Sequence, residues 1–282
     1  MSVHISRHVD DVLENLSSVK DATILAGGTD LLVEINFGRI RPAHIVAIDR
    51  VDELKDFSRN GRVRMGALVT YTRMLEDDGG SVALQEAARP IGSPQIRNAA
   101  TIGGNLGTAS PAGDTLPVLA ALEATVVLRS KKGERRVPFA EFMTGPKKSV
   151  RRADELIVAV EWADAGPAQT FMKVRTRNAM VIAVAGLALV VDRARRRVGV
   201  GIGSCGPTII RASEAERFAA GLLEEAGWDR PNRPSDAAAK EFGRLVAAAA
   251  KPIDDVRGTA AYRRHVLAVM GARALARVAA IP

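Results

Sequence analysis

The sequence predicts an α+β fold in two parts, the first running over residues 1–172 and the second over 173–282. Three observations carry this expectation. A length of 282 residues suits about two domains at roughly 150 residues each. Up to about Phe171, short apolar strand-like runs alternate with helical stretches and glycine turns. Beyond it the texture changes to one hairpin followed by three helical stretches, which puts the boundary near residues 170–178.

The first fifty residues read helix, strand, helix, strand. Ala22–Ala26 is a buried strand entering Gly27-Gly28-Thr29-Asp30, Leu31–Ile35 opens a helix, and Ala43–Asp49 is a second strand. A polar stretch from Glu53 to about Val63 divides the first part into subdomains of about 1–55 and 56–172. After it, Arg62–Gly66 reads as a strand and Ser81–Ala88 as a helix. Thr101–Asn105 reads as a glycine turn, and Leu116–Leu122 as a helix with Pro117 in its first turn. Ala124–Arg129 and Arg135–Pro138 flank a turn at Lys131–Glu134 and form a hairpin, and Glu155–Trp162 alternates as a strand. In the second part, Ala183–Val191 and Arg197–Gly203 form another hairpin. Helices are expected over Ser213–Ala226, Ser235–Ala250 and Tyr262–Ala279, with an irregular link from Gly227 to Pro234.

Composition excludes several functions. The balance of 40 Lys+Arg against 32 Asp+Glu gives a charge of +8, but the basic clusters sit between apolar segments, where solvated turns belong. These clusters are Lys131–Arg136, Lys147–Lys148 with Arg151–Arg152, and Arg193 with Arg195–Arg197. With 4% aromatic residues there is little for bases to stack on, so no nucleic-acid partner is expected. No apolar run reaches the roughly 20 residues of a membrane span, and no secretory signal is visible at the start. The lone Cys205 permits no intrachain disulfide, Cys-ligated zinc or iron–sulfur cluster, and fits a reducing, cytoplasmic setting. His4 and His8 have helical metal-ligand spacing but no third ligand nearby, so no metal site is expected.

Two glycine runs carry the chemistry, Ala26-Gly27-Gly28-Thr29-Asp30 and Thr101-Ile102-Gly103-Gly104-Asn105. Paired glycines let backbone N–H groups converge on phosphate oxygens, and Thr or Asn beside them adds a directed hydrogen bond. Two plain tight turns account for them about equally well. If both are nests, the pair suits the long pyrophosphate of a dinucleotide. Gly201-Ile-Gly203-Ser-Cys-Gly206 also matches G-x-G-x-x-G, but it ends an antiparallel hairpin arm and Pro207 follows, so no Rossmann site is expected there. No catalytic acid–base or nucleophile motif is present.

In order, the residues resemble the FAD-binding medium subunit of the molybdenum hydroxylases, the xanthine dehydrogenase and aerobic carbon monoxide dehydrogenase family. The resemblance rests on Ile24–Leu32, Thr101–Leu106, Ser110–Pro117, Met172–Val174 and Asp254–Arg264. It implies a two-subdomain FAD-binding domain of the vanillyl-alcohol-oxidase (PCMH) type, followed by a small α+β C-terminal domain. It implies FAD contacts from Ile24, Leu25, Ala26, Gly27, Gly28, Thr29, Asp30 and Leu31, and from Thr101, Ile102, Gly103, Gly104 and Asn105. It further implies Ile91 near the flavin ring, Asp114 on the sugar-like chain, Ile157 as an apolar contact and Lys173 as a basic one. A positive charge there would favour the anionic reduced flavin. The resemblance departs at Met180–Ala183, where Val181 stands in a run that often carries Asp in relatives, which bears on the flavin edge and its oxidant.

The expected role is electron transfer. A large molybdopterin-binding subunit hydroxylates substrate, a small [2Fe-2S] subunit relays electrons, and FAD on this chain delivers them to NAD⁺, oxygen or a quinone. Two other readings stay open: a stand-alone FAD-dependent oxidase or dehydrogenase of the same fold, and a flavin-free assembly or scaffold paralogue.

Overall fold

A computed structural model describes residues 1–76, 80–178, 180–231 and 233–281. The first unit holds β1 (Ser2–Ile5), α1 (Val9–Ser18), β2 (Thr23–Leu25), α2 (Leu31–Asn36) and β3 (His44–Ala47). Its strands form a parallel sheet in the order β1-β3-β2. β1 is absent from the sequence-based reading; it is four residues long and becomes a strand through pairing Ser2–Ile5 with His44–Ala47. In α1, Val9, Val12, Leu13 and Leu16 are buried at helical spacing while Asp10 and Asp11 favour the positive helix start. His4 lies on β1 and His8 precedes α1, so the pair shares no helix face.

The second unit begins with β4 (Phe57–Arg59), β5 (Arg62–Gly66), α3 (Tyr71–Glu76), α4 (Val82–Ala88), α5 (Pro94–Ala99), α6 (Ile102–Thr108) and α7 (Leu116–Ala121). It continues with β6 (Thr125–Ser130), β7 (Gly133–Pro138), α8 (Phe139–Phe142), β8 (Met143–Gly145), β9 (Lys148–Ser149) and β10 (Leu156–Ala163). Five of the strands form an antiparallel sheet in the order β4-β5-β10-β6-β7. The expected in–out alternation of β10 does not occur, because every residue from Leu156 to Trp162 is buried. As the central strand it serves two cores. Ile157, Val160 and Trp162 join the main core beneath α3–α7, while Leu156, Val158 and Ala159 pack with the α1 side chains. The Glu161 carboxylate is buried there but paired with Arg64 and Arg136.

The last unit is β11 (Gln169–Val174), β12 (Ala185–Asp192), β13 (Arg197–Gly203), β14 (Ile210–Arg211), α9 (Ser213–Ala226), α10 (Asp236–Ala249) and α11 (Ala260–Val278). Its antiparallel sheet runs β11-β12-β13-β14. In β12, Ala188 and Val190 belong to the main core while Leu187, Leu189 and Val191 belong to the core under the last three helices. α7 lies directly on β13: a Cβ on Gly199 would sit 1.9 Å from the Ala121 carbonyl oxygen, and one on Gly201 2.0 Å from that of Pro117. The G-x-G-x-x-G match is therefore a helix-to-strand contact. Of the link expected from Gly227 to Pro234, Asn232 lies outside the described residues. No helix among the described residues is long and apolar enough to cross a membrane.

Candidate functional site

A cavity of about 770 Å³ opens where β2 and α2 face α5 and α6, a size suited to a large organic ligand. Ile24, Ala26, Gly27, Gly28, Thr29, Asp30 and Leu31 line it from the first glycine run. Thr101, Gly103, Gly104 and Asn105 line it from the second, joined by Ile91, Asp114, Ile157 and Lys173. The structure does not bring Leu25 or Ile102 to it. Leu25 follows Ile24 in β2, so its side chain leaves by the opposite face. Ile102 is fully buried in the main core.

The two glycine runs differ in what they can offer. In the first, Gly28 adopts φ 71°, a left-handed conformation that favours glycine. The N–H groups of Gly27, Gly28, Thr29 and Asp30 find no protein acceptor among the described residues. This run can cradle an anion. The second is not the turn expected from sequence but the first turn of α6, with the Thr101 hydroxyl capping it by accepting from Gly104 N–H at 3.0 Å. Ile102 N–H donates to Val69 O, Gly103 N–H to Ala67 O and Asn105 N–H to Thr101 O. The N–H groups from Ile102 to Asn105 are thus spent inside the protein, and the glycines of this run do not form a second nest. What it presents is small surface and the Asn105 amide, whose Oδ1 accepts from the Thr115 hydroxyl at 2.6 Å. The Thr108 hydroxyl donates to Asp30 at 3.1 Å and ties α6 to the first run.

Lys173, expected as a basic contact to the cofactor, donates to Asp114 Oδ2 at 2.6 Å, and both side chains are buried. Burial pushes the Asp114 carboxyl upward and the neighbouring ammonium opposes this. The pair is therefore close to neutral toward a ligand, and one Asp114 oxygen is left for other donors. Burial likewise raises the Tyr71 hydroxyl beside them.

Sequence reasoning missed several wall residues. Ile96 and Tyr71 add apolar surface; Met180, Val181 and Ile182, which the resemblance already set at the flavin edge, lie along the same cavity, with Met180 and Ile182 exposed. Arg151 is the most consequential omission. Sequence groups it with the solvated basic turns, yet it lines the cavity just before β10. Its Nη1 donates to the carbonyls of Arg152 at 3.0 Å and Glu155 at 2.7 Å. The only available signal is its closeness to a strand whose first residues reach the site. Cys205 lies elsewhere, buried, with its thiol pushed up to about 11 by desolvation, which keeps it unreactive.

Residues 1–162 match the family model described as the FAD binding domain in molybdopterin dehydrogenase, and residues 169–278 match the CO dehydrogenase flavoprotein C-terminal domain. The chain is 30% identical to the glyceraldehyde dehydrogenase medium chain of Sulfolobus acidocaldarius, over 96% of this chain and 95% of that one. It is 38% identical to the nicotinate dehydrogenase FAD-subunit of Eubacterium barkeri, a match that spans 61% of this chain and 62% of the relative. Its fold superimposes on a chain of the Hydrogenophaga pseudoflava carbon monoxide dehydrogenase that lacks the Mo-pyranopterin moiety. The TM-score is 0.87 at 25% identity, covering 99% of this chain and 98% of that one.

Proposed function

The chain belongs to the family of FAD-binding domains of molybdopterin dehydrogenases, and from that premise we propose that it carries FAD as the medium subunit of a molybdenum hydroxylase complex. The observation that most supports this is the first glycine run, with four unengaged N–H groups on the wall of a cavity large enough for a dinucleotide. FAD held there would supply redox chemistry, linking a small [2Fe-2S] subunit to NAD⁺ or another acceptor in a complex whose large molybdopterin-binding subunit would oxidise substrate.

This chain's own residues bind and orient. The N–H groups of Gly27–Asp30 hold diphosphate oxygens, in a loop shaped by the close approach of Gly27 to the Ala99 carbonyl and by the left-handed backbone of Gly28. Asp114 accepts from the hydroxyls of the ribityl chain through the oxygen that Lys173 leaves free, and Lys173 fixes the carboxylate in place. Ile91, Ile96 and Ile157 give the flat ring systems apolar surface. Val181 is flanked by Met180 and Ile182, so selectivity for the final acceptor rests on these apolar side chains rather than on an acidic one. The stand-alone oxidase and the scaffold reading gain nothing from the relatives, which carry the names of dehydrogenase chains and subunits.

The test is to purify the chain, alone and from cells that also express neighbouring subunits, and to look for a flavin spectrum with FAD released on denaturation. Yellow protein yielding FAD is the expected outcome. Colourless protein that fails to take up added FAD in either form overturns the reading, and flavin reduced directly by a small organic substrate without partners would favour the oxidase.

A further inference from the structure

We propose that Arg151 is the cation through which this cavity receives the phosphates of a nucleotide. The proposal rests on the FAD reading and deepens it by naming the residue that meets the diphosphate charge, a position that the glycine runs alone do not fill.

Among the described residues the wall carries five charged side chains, Asp30, Glu34, Asp114, Arg151 and Lys173. Lys173 is neutralised by Asp114 at 2.6 Å. Glu34 is answered by Lys147 at 3.1 Å and Arg39 at 3.3 Å, and Asp30 is exposed at the rim. Arg151 alone among these cations has no carboxylate within ion-pair distance among the described residues. The nearby candidate, Glu155, is already occupied: Arg135 donates to it at 2.6 and 2.9 Å, and Arg152 N–H at 2.7 Å.

Arg151 is nevertheless partly buried, and desolvation pushes its pKa down against the more distant pull of the Glu155 and Asp154 carboxylates. Two carbonyls grip Nη1, which fixes the plane of the guanidinium without cancelling its charge. The N–H groups on Nε and Nη2 have no protein acceptor among the described residues. A half-desolvated, pre-oriented guanidinium fork with unspent donors is matched to a phosphate, which accepts in bidentate fashion. Ligand charge makes the need specific. With the N–H groups of Ile102 to Asn105 consumed and Lys173 held by Asp114, the backbone dipoles of a single loop would face a doubly charged diphosphate. Arg151 supplies the missing positive charge from the β10 side, next to Leu156 and Ile157, which line the same cavity.

The experiment titrates the full-length chain and its R151Q variant with FAD, ADP, inorganic pyrophosphate, adenosine and riboflavin, and compares ligand-free melting. We expect R151Q to weaken FAD, ADP and pyrophosphate by about tenfold to a hundredfold, the range of a charge-assisted contact, and to leave adenosine and riboflavin unchanged. Unchanged ADP and FAD affinity overturns the proposal. So does equal weakening of all five ligands, which would mark Arg151 as a support for the loop through its two carbonyl bonds. If R151Q melts before it can be titrated, R151K is read in its place. It keeps the charge and gives up the fork, so a smaller loss confined to the phosphate-bearing ligands is expected, and a loss shared by adenosine and riboflavin again overturns the idea. A wild-type chain that binds none of the five ligands defeats the FAD reading itself, a result distinct from any difference between variants.

Discussion

At the cavity, a Cβ on Gly104 would meet only the Thr101 hydroxyl oxygen, at 3.1 Å, and Gly28 is set apart by its φ of 71°. On β13, by contrast, Gly199 and Gly201 have the backbone of α7 at 1.9 and 2.0 Å. Both regions look alike in the sequence, as closely spaced glycines beside apolar residues. The difference is what occupies the place of the missing side chain. On β13 it is another piece of the chain, so glycine there serves packing. At Gly104 it is cavity, so glycine there serves a ligand. Gly27 crosses the division: it lines the cavity, yet a Cβ on it would lie 1.7 Å from the Ala99 carbonyl oxygen.

The strongest challenge to this comparison is G199A. Neither α7 nor β13 can yield without moving backbone, so we expect a loss of about 3 kcal/mol, at the upper end of overpacking costs. Thermal unfolding should show it as a fall of roughly 6–12 °C for a chain of this size. A melting point within error of wild type would dissolve the packing class. G27A should sharpen the comparison by behaving like G199A, losing stability as well as flavin, because its carbonyl contact is equally close. G28A comes next: forcing alanine into a left-handed backbone costs roughly 1–2 kcal/mol. G104A has the smallest cost in stability, under about 1 kcal/mol, because only a hydroxyl must shift. It should still lower FAD affinity, measured by flavin fluorescence. If G104A binds FAD normally, the ligand-facing class is wrong for that position.

A pH experiment addresses the wall near Arg151. Arg135 holds the Glu155 carboxyl below its ordinary value of 4.5, with the Arg152 N–H assisting against desolvation. A lowered folded-state pKa adds stability above the unfolded-state pKa, and that stability is lost as pH falls through the folded-state value. E155Q should therefore cost about 2 kcal/mol at pH 7, as expected for hydrogen bonds to a charged group. The gap from wild type should close as pH drops below about 4, followed by denaturant unfolding at several pH values. A gap independent of pH would mean that the charge contributes nothing.

Much of this architecture was legible in the sequence, because its signals are local. Basic turns between β-branched runs marked β6–β7 and β12–β13, and Ser81 and Ser235 stand where their hydroxyls cap α4 and α10. What escaped depends on distant partners. β1 pairs with a strand some forty residues later. The helical state of Thr101–Asn105 depends on the Val69 and Ala67 carbonyls that accept from Ile102 and Gly103. β10 is apolar at every position but Glu161, and a core on each side buries both faces. At the site, the sequence brought the first loop, Asp114 and Lys173 into view. It could not show that the last two neutralise each other, nor that Arg151 leaves the solvated turn to which its neighbours belong.

The double allegiance of β12 has a consequence for inheritance. Its even-numbered Ala188 and Val190 answer to the main core, and its odd-numbered Leu187, Leu189 and Val191 to the C-terminal helices. The two family models meet between residues 162 and 169, but the surfaces they describe interlock through this strand and through the glycines under α7. A chimera that takes its C-terminal segment from a relative must therefore take α7 from the same parent, because the two halves of that contact are one heritable unit.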